Sequence, residues 1–401
     1  MRYFNYLSGE QSDQVFYRAP MPFDNTSDHR TLAYAIGAAL YCPATKLTIA
    51  EDIITHRHEG LTTLVLDLED AIGDQQVDTA EHVLKKQLEQ LSVALEQGRL
   101  SKEDLPLLFI RVRSPEQLVR IMDRLDEQLL LLTGFVFPKF SPYNGPLYFE
   151  VLASYNRKKS AIQPKLYGLP ILETDKVIFK ETRVDTLLGI RAILDQNEPY
   201  VLNVRIGATD FSSMFGLRRS PDMTIYDIAP IRDCIADIIN VFGRMQDSYV
   251  ISGPVWEYFS NRERVLKPQL RQTLFEQSLG RDGRRLRMNY ITNYVDGLIR
   301  EVMLDKENGI VGKTIIHPSH IKPVQSLLAV SHEEFVDASS IMASNDGQLG
   351  VMKSQYANKM NEIKPHLNWA KRIISRANIY GVLNEQQHFI SLLPEHEHAY
   401  V

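Results

Sequence analysis

The chain has 401 residues, of which 44% are hydrophobic and 24% are charged, and its formal net charge at pH 7 is −5. This composition excludes a disordered or collagen-like chain and argues against a dedicated nucleic-acid binder. Two cysteines are too few for a disulfide framework, and no apolar stretch is long enough to cross a bilayer. The N-terminus lacks the layout of a signal peptide, so we expect a cytoplasmic protein without a membrane partner.

Eight short apolar segments alternate with amphipathic helical segments along the chain. Runs of consecutive apolar residues are typical of strands that are buried on both faces. The predicted strands comprise residues 38–42, 63–68, 107–112, 134–138, 165–172, 201–208, 249–252 and 313–316. Between them, Leu84, Leu88 and Leu91 share one helical face, and Ser114 followed by Pro115 is typical of a helix start. The alternation predicts an α/β fold, a parallel (β/α)8 TIM barrel, with a doubly wound open sheet as the alternative.

Three segments do not belong to a minimal barrel. We expect residues 1–30 to form an N-terminal leader and residues 31–330 to form the barrel domain. Within that domain, residues 256–300 form a long basic insertion between strands 7 and 8. Residues 331–401 follow the eighth unit as a helical C-terminal appendage that ends in a polar tail.

The most informative feature is the residue type that follows each predicted strand. In a (β/α)8 barrel, the loops after the C-terminal strand ends build the active site. Helix capping alone would favour Ser, Thr, Asn or Asp at these points. Here the strands run into other charged or titratable residues, namely Glu69 and Asp70, Arg111 and Arg113, Lys139, Glu173, Asp210 and His317.

Glu173 and Asp210 follow neighbouring predicted strands, which lets their carboxylates share one divalent cation. Hard oxygen ligands with room for water and substrate suit Mg²⁺ or Mn²⁺, and such a cation polarises the carbonyl of an oxo acid or acyl thioester. Arg111 can then neutralise the enolate oxygen that develops when a C–C bond breaks or forms. Helix capping by the carboxylates and a structural ion pair between Arg111 and Glu69 are the alternatives.

Seven motifs together resemble a known family. LYCPATK, LVLDLEDAIGD, FIRVR, GFVFPKF, LPILET, IGATDFSSMFGLRRS and GIVGKTIIHPSHIKPV occur in the order and spacing of the HpcH/HpaI aldolase and citrate lyase beta-subunit superfamily. The resemblance covers roughly residues 36–330 and extends weakly into the C-terminal appendage. Within the superfamily, the chain is most similar to the divergent branch of TIM-barrel C–C bond lyases associated with bacterial tellurium-resistance and stress gene clusters.

The resemblance implies a (β/α)8 barrel, Mg²⁺-dependent lyase chemistry and a homo-oligomer. By position, Glu173 and Asp210 match the metal ligands, and Arg111 matches the arginine that contacts the substrate. Glu69 and Asp70 match an acidic pair near the metal. In many relatives an acidic residue of the C-terminal segment reaches into a neighbouring subunit's site as the acid or base, and Glu362 is the nearest match.

The chain also departs from the family pattern. Relatives usually follow the first strand with Pro-Gly and a basic residue, whereas here PAT precedes Lys46, and Arg113 stands where Asn is common. These departures leave open whether coenzyme A is used, and Arg113 favours a more anionic, phosphorylated or dicarboxylic substrate. We expect Lys46, Arg113 and Lys139 to contact that substrate. A Schiff base at Lys139 and a phosphate cradle at the basic residues 280–285 are further hypotheses.

The sequence therefore predicts a Mg²⁺-dependent C–C bond lyase or aldolase. Its substrate is a small anionic oxo acid or an acyl thioester, with coenzyme A among the candidate carriers, and the enolate is held by the metal and Arg111. Two alternatives use the same barrel. One is a thioester hydrolase on the same metal site, and the other is a non-catalytic ligand-binding or scaffold barrel.

Overall fold

A computed structural model describes residues 1–160, 163–245, 248–259 and 293–393. The strands in these residues are β1 (Phe16–Arg18), β2 (Ala38–Pro43), β3 (Thr63–Asp67), β4 (Leu107–Arg111), β5 (Leu132–Phe137), β6 (Tyr167–Leu172), β7 (Val204–Ile206), β8 (Ile251–Ser252), β9 (Lys313–Ile315), β10 (Val351–Lys353), β11 (Met360–Glu362) and β12 (Val382–Leu383). The α-helices are α1 (Gly9–Val15), α2 (His29–Ala35), α3 (Ile49–Ile54), α4 (Val77–Glu96), α5 (Pro115–Leu125), α6 (Gly145–Lys158), α7 (Asp175–Ile178), α8 (Lys180–Gln196), α9 (Ala208–Ser213), α10 (Ala229–Phe242), α11 (Asn293–Glu307), α12 (Ile321–Leu328), α13 (His332–Ala343) and α14 (Ile363–Tyr380).

Strands β2 to β9 form one parallel sheet in the order β8-β7-β6-β5-β4-β3-β2-β9. A parallel bridge between Gly253 and Lys313 joins the two ends of this order. The amide of Thr314 donates to the carbonyl of Gly253 at 3.1 Å across the same seam. The predicted (β/α)8 barrel is confirmed, and the doubly wound open sheet is wrong, because the eighth strand pairs back to the first barrel strand.

The barrel strands and the helices around them form one hydrophobic core. Every residue of β3 and β4 is buried, as expected for strands that are covered by helices on one face and by the barrel interior on the other. Leu84, Leu88 and Leu91 are buried on α4, as the helical periodicity predicts. The Ser114 side chain caps α5 by accepting from the amide of Gln117.

The two ends of the described chain meet on the outside of the barrel. Strand β1 pairs antiparallel with β12, with Phe16 opposite Leu383. Near the N-terminus, the ring of Tyr3 is buried and packs 4.5 Å from the ring of Tyr380, measured between centroids. The N-terminal segment therefore packs against the C-terminal helix α14.

The C-terminal region is helical, as predicted, and it has a small core of its own. Helices α13 and α14 pack together through side chains that include Ala338, Ile341 and Ile373. The antiparallel hairpin of β10 and β11 precedes α14. None of the helices in the described residues is both long and apolar enough to span a membrane.

Two sequence predictions fall on residues that the structure does not describe. Residues 260–292 contain most of the predicted insertion and the whole basic run 280–285. Residues 394–401 contain the last part of the predicted polar tail.

Candidate active site

Charged side chains converge at the C-terminal ends of the barrel strands. The parallel register places Asp67 of β3 beside Arg111 of β4. The loops that follow β3, β5, β6 and β7 add further carboxylates and one lysine. The cluster consists of Asp67, Glu69, Asp70, Arg111, Lys139, Glu173 and Asp210. We refer to these seven residues as the acidic cluster.

Arg111 is held in place by three carboxylates. Its Nε donates to Asp67 Oδ1 at 2.7 Å, and its Nη2 donates to Asp67 Oδ2 at 2.5 Å. Its Nη1 lies 2.9 Å from Glu69 Oε2 and 3.4 Å from Asp70 Oδ2. The paired hydrogen bonds to Asp67 orient the plane of the guanidinium. Burial alone would lower the pKa of Arg111, but the hydrogen bonds and charge of Asp67 raise it above its ordinary value.

Lys139 connects Glu69 to Glu173. Its Nζ contacts a Glu69 carboxylate oxygen directly and lies 3.6 Å from Asp70 Oδ1. Its backbone has a φ of +47°, in the left-handed region that non-glycine residues rarely occupy. Its amide donates to Glu173 Oε1 at 2.7 Å. Strained backbone of this kind is frequent at functional sites, where the surrounding structure holds it.

Glu173 directly follows β6, and Asp210 lies in the first turn of α9, just after the neighbouring strand β7. Glu173 is only 2% exposed, and burial together with the charge of Asp210 raises its pKa to about 8. Burial and the charge of Asp70 also raise the pKa of Asp210. A side chain at Gly207 would lie 2.5 Å from Glu173 Cβ, so a glycine is required where the two strands end.

The donor set of the acidic cluster fits a divalent cation. Its carboxylates outnumber its basic side chains, Arg111 and Lys139, and the raised pKa values of Glu173 and Asp210 show that their negative charge is poorly balanced. A divalent cation between Glu173 and Asp210 would neutralise the negative charge of the two carboxylates. Two carboxylate ligands leave coordination positions for water and substrate, as Mg²⁺ sites usually do. Among the residues described, no group of three or more His, Cys, Asp and Glu side chains is arranged to hold a metal.

Arg113 binds the loop that follows β3. Its Nε donates to the Leu68 carbonyl at 2.7 Å, and its Nη2 donates to the carbonyls of Glu69 and Ile72. Its Nη1 donates to Asp74 Oδ1 at 2.6 Å. All three guanidinium nitrogens of Arg113 therefore donate hydrogen bonds to the loop after β3, and these bonds hold the loop in place. Arg113 therefore stabilises this loop, and its contact with the substrate stays a prediction.

Two other predicted residues lie apart from the acidic cluster. Lys46 follows β2 and forms an ion pair with Asp52 at 2.7 Å. Glu362 ends the hairpin strand β11, where its side chain is exposed. Within the described chain the Glu362 side chain contacts no member of the acidic cluster. A site on a neighbouring subunit is not represented in one chain, so the role of Glu362 stays a prediction.

His317, at the end of the eighth barrel strand, lies in an aromatic contact outside the acidic cluster. Its ring stacks on that of Phe259, with 4.5 Å between centroids. Its Nδ1 lies 2.7 Å from Ser319 Oγ.

Sequence reasoning missed two charged residues of the barrel interior. Asp67 is the principal partner of Arg111, and Arg205 lies on β7, fully buried. Both could have been found from one signal, a charged residue in an inward position of an otherwise apolar strand. In LVLDLEDA and VLNVRIGA, respectively, they interrupt the apolar run.

Three solved structures resemble the chain in fold. The protein CitE of Mycobacterium tuberculosis, solved with magnesium, acetoacetate and coenzyme A, is 18% identical, with a TM-score of 0.49 over 86% of this chain and 99% of that one. The citrate lyase beta subunit of M. tuberculosis, solved with oxaloacetate and magnesium, is 19% identical, with a TM-score of 0.42 over 73% and 97%. RipC from Yersinia pestis is 15% identical, with a TM-score of 0.44 over 74% and 95%. At these identities the similarity concerns the fold alone.

A search of the curated proteins finds no match to the chain. One family model, described as the C–C bond lyase of the TIM-barrel fold, matches residues 30–382. The matched span contains the whole barrel, every residue of the acidic cluster and Glu362. The chain therefore belongs to the C–C bond lyase family of the TIM-barrel fold.

Proposed function

We propose that the protein is a Mg²⁺-dependent C–C bond lyase or aldolase that acts on a small anionic oxo acid or acyl thioester. The observation that carries this proposal is the pairing of Glu173 and Asp210, two carboxylates with raised pKa values, at the same strand ends as the anchored Arg111. Membership in a family of C–C bond lyases supports the same chemistry.

Glu173 and Asp210 would hold the metal. When bound, the cation supplies Lewis-acid polarisation of the substrate carbonyl. Carboxylate oxygens are hard ligands that favour Mg²⁺, and Mn²⁺ is the alternative of similar preference. The backbone amide of Lys139 donates to one oxygen of Glu173, which limits how that carboxylate can rotate.

The remaining residues of the acidic cluster handle charge and protons. In the cleavage direction, a base accepts the β-hydroxyl proton, the C–C bond breaks, and its electron pair passes into the polarised carbonyl as an enolate. Arg111, oriented by Asp67, donates hydrogen bonds to the developing negative oxygen. Burial raises the pKa of Glu69, so this carboxyl and the water ordered with Asp70 can return a proton to the enolate carbon.

Glu362 is proposed as the acid or base that a neighbouring subunit contributes. Its side chain is exposed on the hairpin and makes no hydrogen bond or ion pair within the described chain, which leaves it available to a second copy. The proposal requires a homo-oligomer in which the hairpin approaches the strand ends of the adjacent barrel.

Product analysis tests the reaction type. The protein is incubated with Mg²⁺ and a panel of hydroxy acids and their thioesters, and the products are identified by mass spectrometry. An aldehyde or oxo acid together with a shorter acid or thioester is expected. The free thiol together with the hydroxy acid whose C–C bonds are all intact would instead indicate thioester hydrolysis and contradict lysis.

The Glu173→Gln variant tests the metal assignment. We expect turnover to fall by about 100-fold or more and Mg²⁺ binding to disappear in calorimetry, because the amide is a poor substitute for a carboxylate ligand. Glu59→Gln is the control, since Glu59 forms an ion pair with Lys322 at the surface, away from the acidic cluster. Full turnover with undiminished Mg²⁺ content in Glu173→Gln would overturn the assignment.

A further inference from the structure

Arg205 is a buried cation without a carboxylate partner. It is 1% exposed, and Nη2 donates to Thr314 Oγ1 at 2.7 Å. Its Nε and Nη1 have no hydrogen-bond partner in the described residues, and the guanidinium forms no ion pair there. On β7 it pairs in register with Ile171, and the alternation of side chains along a strand directs it into the barrel interior.

Three other buried arginines in the described chain, Arg111, Arg183 and Arg219, are paired with carboxylates, and Arg376 donates to the Leu328 carbonyl. Arg111 is bound by Asp67, and Arg183 lies 3.0 Å from Asp233 and 2.8 Å from Asp237. A buried charge that lacks a partner is costly, because the hydration that it loses is not replaced. Arg205 therefore has two buried guanidinium nitrogens, Nε and Nη1, that no group of the described chain binds.

The surroundings of Arg205 connect it to the acidic cluster. The ring of Tyr41 is close to both guanidinium groups, with its centroid 5.4 Å from Arg111 Cζ and 5.6 Å from Arg205 Cζ. The Tyr41 hydroxyl is also buried without a hydrogen-bond partner. A further orphaned group, the amide of Asn203, lies two positions before Arg205 on the same chain segment. Tyr41, Asn203 and Arg205 thus place buried polar atoms without hydrogen-bond partners in the barrel, and Tyr41 lies close to Arg111 of the acidic cluster.

The strand geometry sets the separation between this region and the metal ligands. Arg205 lies opposite Ile171, and Glu173 follows two residues later on the neighbouring strand. From the rise per residue and the spacing between strands, the Cα atoms of Glu173 and Arg205 are about 8 Å apart. The proposed metal ligand Glu173 and the unpartnered guanidinium of Arg205 are therefore close neighbours on adjacent strands.

We propose that Arg205 binds a second carboxylate of the substrate, so that the lyase acts on a dicarboxylic hydroxy or oxo acid. Binding of the first end of the substrate at Glu173 and Asp210 rests on the proposed function. The second carboxylate is held by Nε and Nη1 of Arg205 and by the Tyr41 hydroxyl. The sequence predicts a preference for a phosphorylated or dicarboxylic substrate from Arg113. We attribute the preference for a second carboxylate to Arg205, because its Nε and Nη1 have no hydrogen-bond partner in the described residues.

Binding of two matched probes tests the proposal. L-lactate and L-malate share the 2-hydroxycarboxylate fragment, and L-malate adds one carboxylate. With Mg²⁺ present, calorimetry of the wild-type protein should show about 10- to 100-fold tighter binding of L-malate, the range expected for hydrogen bonds to a charged group. Arg205→Met should abolish that preference, and Arg205→Lys should retain part of it. An equal preference in wild type and Arg205→Met would overturn the proposal.

Thermal unfolding separates this role from a structural one. Removing an unpaired buried charge should leave the melting temperature of ligand-free Arg205→Met equal to or above that of the wild type. Arg183→Met is the matched control, since it removes a buried arginine that has carboxylate partners. It should melt lower than the wild type while keeping the L-malate preference. A large loss of melting temperature in Arg205→Met would assign the residue to the fold and contradict the proposal.

The binding readout also distinguishes this proposal from the proposed function. An L-malate preference that depends on Arg205, in a protein without C–C bond cleavage, would support the carboxylate site and contradict the lyase. Cleavage activity without that preference would support the lyase and contradict the role of Arg205.

Discussion

Asp67 determines where the guanidinium of Arg111 points. Both carboxylate oxygens of this buried aspartate accept from Arg111, and the two residues lie side by side on β3 and β4. Asp67 is thus a positioning residue for Arg111, the arginine that we propose to contact the substrate. The same reasoning explains Arg113, whose donors are occupied by backbone carbonyls of one loop. Neither residue type nor sequence position separates the two arginines, but their hydrogen-bond partners do.

Replacing Asp67 by Asn should affect both stability and turnover. One charge of a buried pair disappears, so we expect the free energy of unfolding to fall by about 3 kcal/mol. Because the Arg111 guanidinium is then less constrained, kcat/KM should fall by about 100-fold while the fold stays intact. Denaturant titration and steady-state kinetics provide the measurements. Asp74→Asn is the control, because the Asp74 side chain is 92% exposed in its pair with Arg113 and should matter little. Equal effects of Asp67→Asn and Asp74→Asn would contradict the assignment of Asp67 as the residue that positions Arg111.

At the scale of elements, a buried ion network joins β9 to α11. Lys313 Nζ lies 2.9 Å from Glu301 Oε1 and 2.8 Å from Asp305 Oδ2, and all three side chains are buried. Arg219 also contacts Glu301, and Tyr226 donates to Asp305 at 2.6 Å. The lysine of the GK motif before IHP therefore attaches a helix to the outer face of the barrel. It belongs to the fold and not to the acidic cluster.

Lys313→Met should destabilise the protein strongly. Glu301 and Asp305 would be left buried without their shared cation, at a cost of about 3–5 kcal/mol in the free energy of unfolding. Equilibrium denaturation measures the change. Lys322→Met removes a lysine that pairs with the exposed Glu59, and it should cost far less. An unchanged denaturation midpoint for Lys313→Met would show that the buried ion network does not stabilise the contact between β9 and α11.

Buried His320, just before α12, should make the fold sensitive to acid. Burial lowers its pKa to about 4, and its Nε2 lies 3.0 Å from the Tyr258 carbonyl. Because the folded pKa is below the unfolded value of about 6.5, this contribution is complete above pH 6.5 and is lost as the pH falls toward 4. Between pH 7 and 4.5 the wild type should lose up to roughly 3 kcal/mol more stability than His320→Gln. Parallel pH profiles of the two proteins would contradict this expectation.

At the scale of the whole molecule, the elements outside the barrel converge on one another. Strand β1 pairs with β12, Tyr3 packs on Tyr380, and α13 packs on α14. The hairpin that ends with Glu362 belongs to this outer region, whereas the acidic cluster lies at the strand ends. One copy of the chain therefore brings together the proposed metal ligands and Arg111 but not Glu362.

Complementation between two inactive variants tests the proposed shared site. Glu173→Gln and Glu362→Gln should each be inactive alone. Co-expressed in one oligomer, they should recover measurable turnover, because some sites combine an intact Glu173 from one subunit with an intact Glu362 from another. Light scattering establishes the oligomer. A monomer, or an oligomer without recovery, would show that Glu362 does not act across subunits.

The sequence determined the barrel and the location of its chemistry. Each predicted strand is a local run of apolar residues, and each charged strand end lies within a few residues of that run, so both can be derived without knowing distant contacts. Glu69, Asp70, Arg111, Lys139 and Glu173 converge because parallel strands bring their C-terminal ends to one side.

Only the tertiary structure decided which charge meets which partner. Arg111, Arg113 and Arg205 all follow or interrupt apolar strands, yet the first binds a buried carboxylate, the second binds carbonyls, and the third has donors without partners. Their partners lie tens of residues away in sequence, and the free energy of a buried charge depends on those distant groups rather than on its neighbours along the chain.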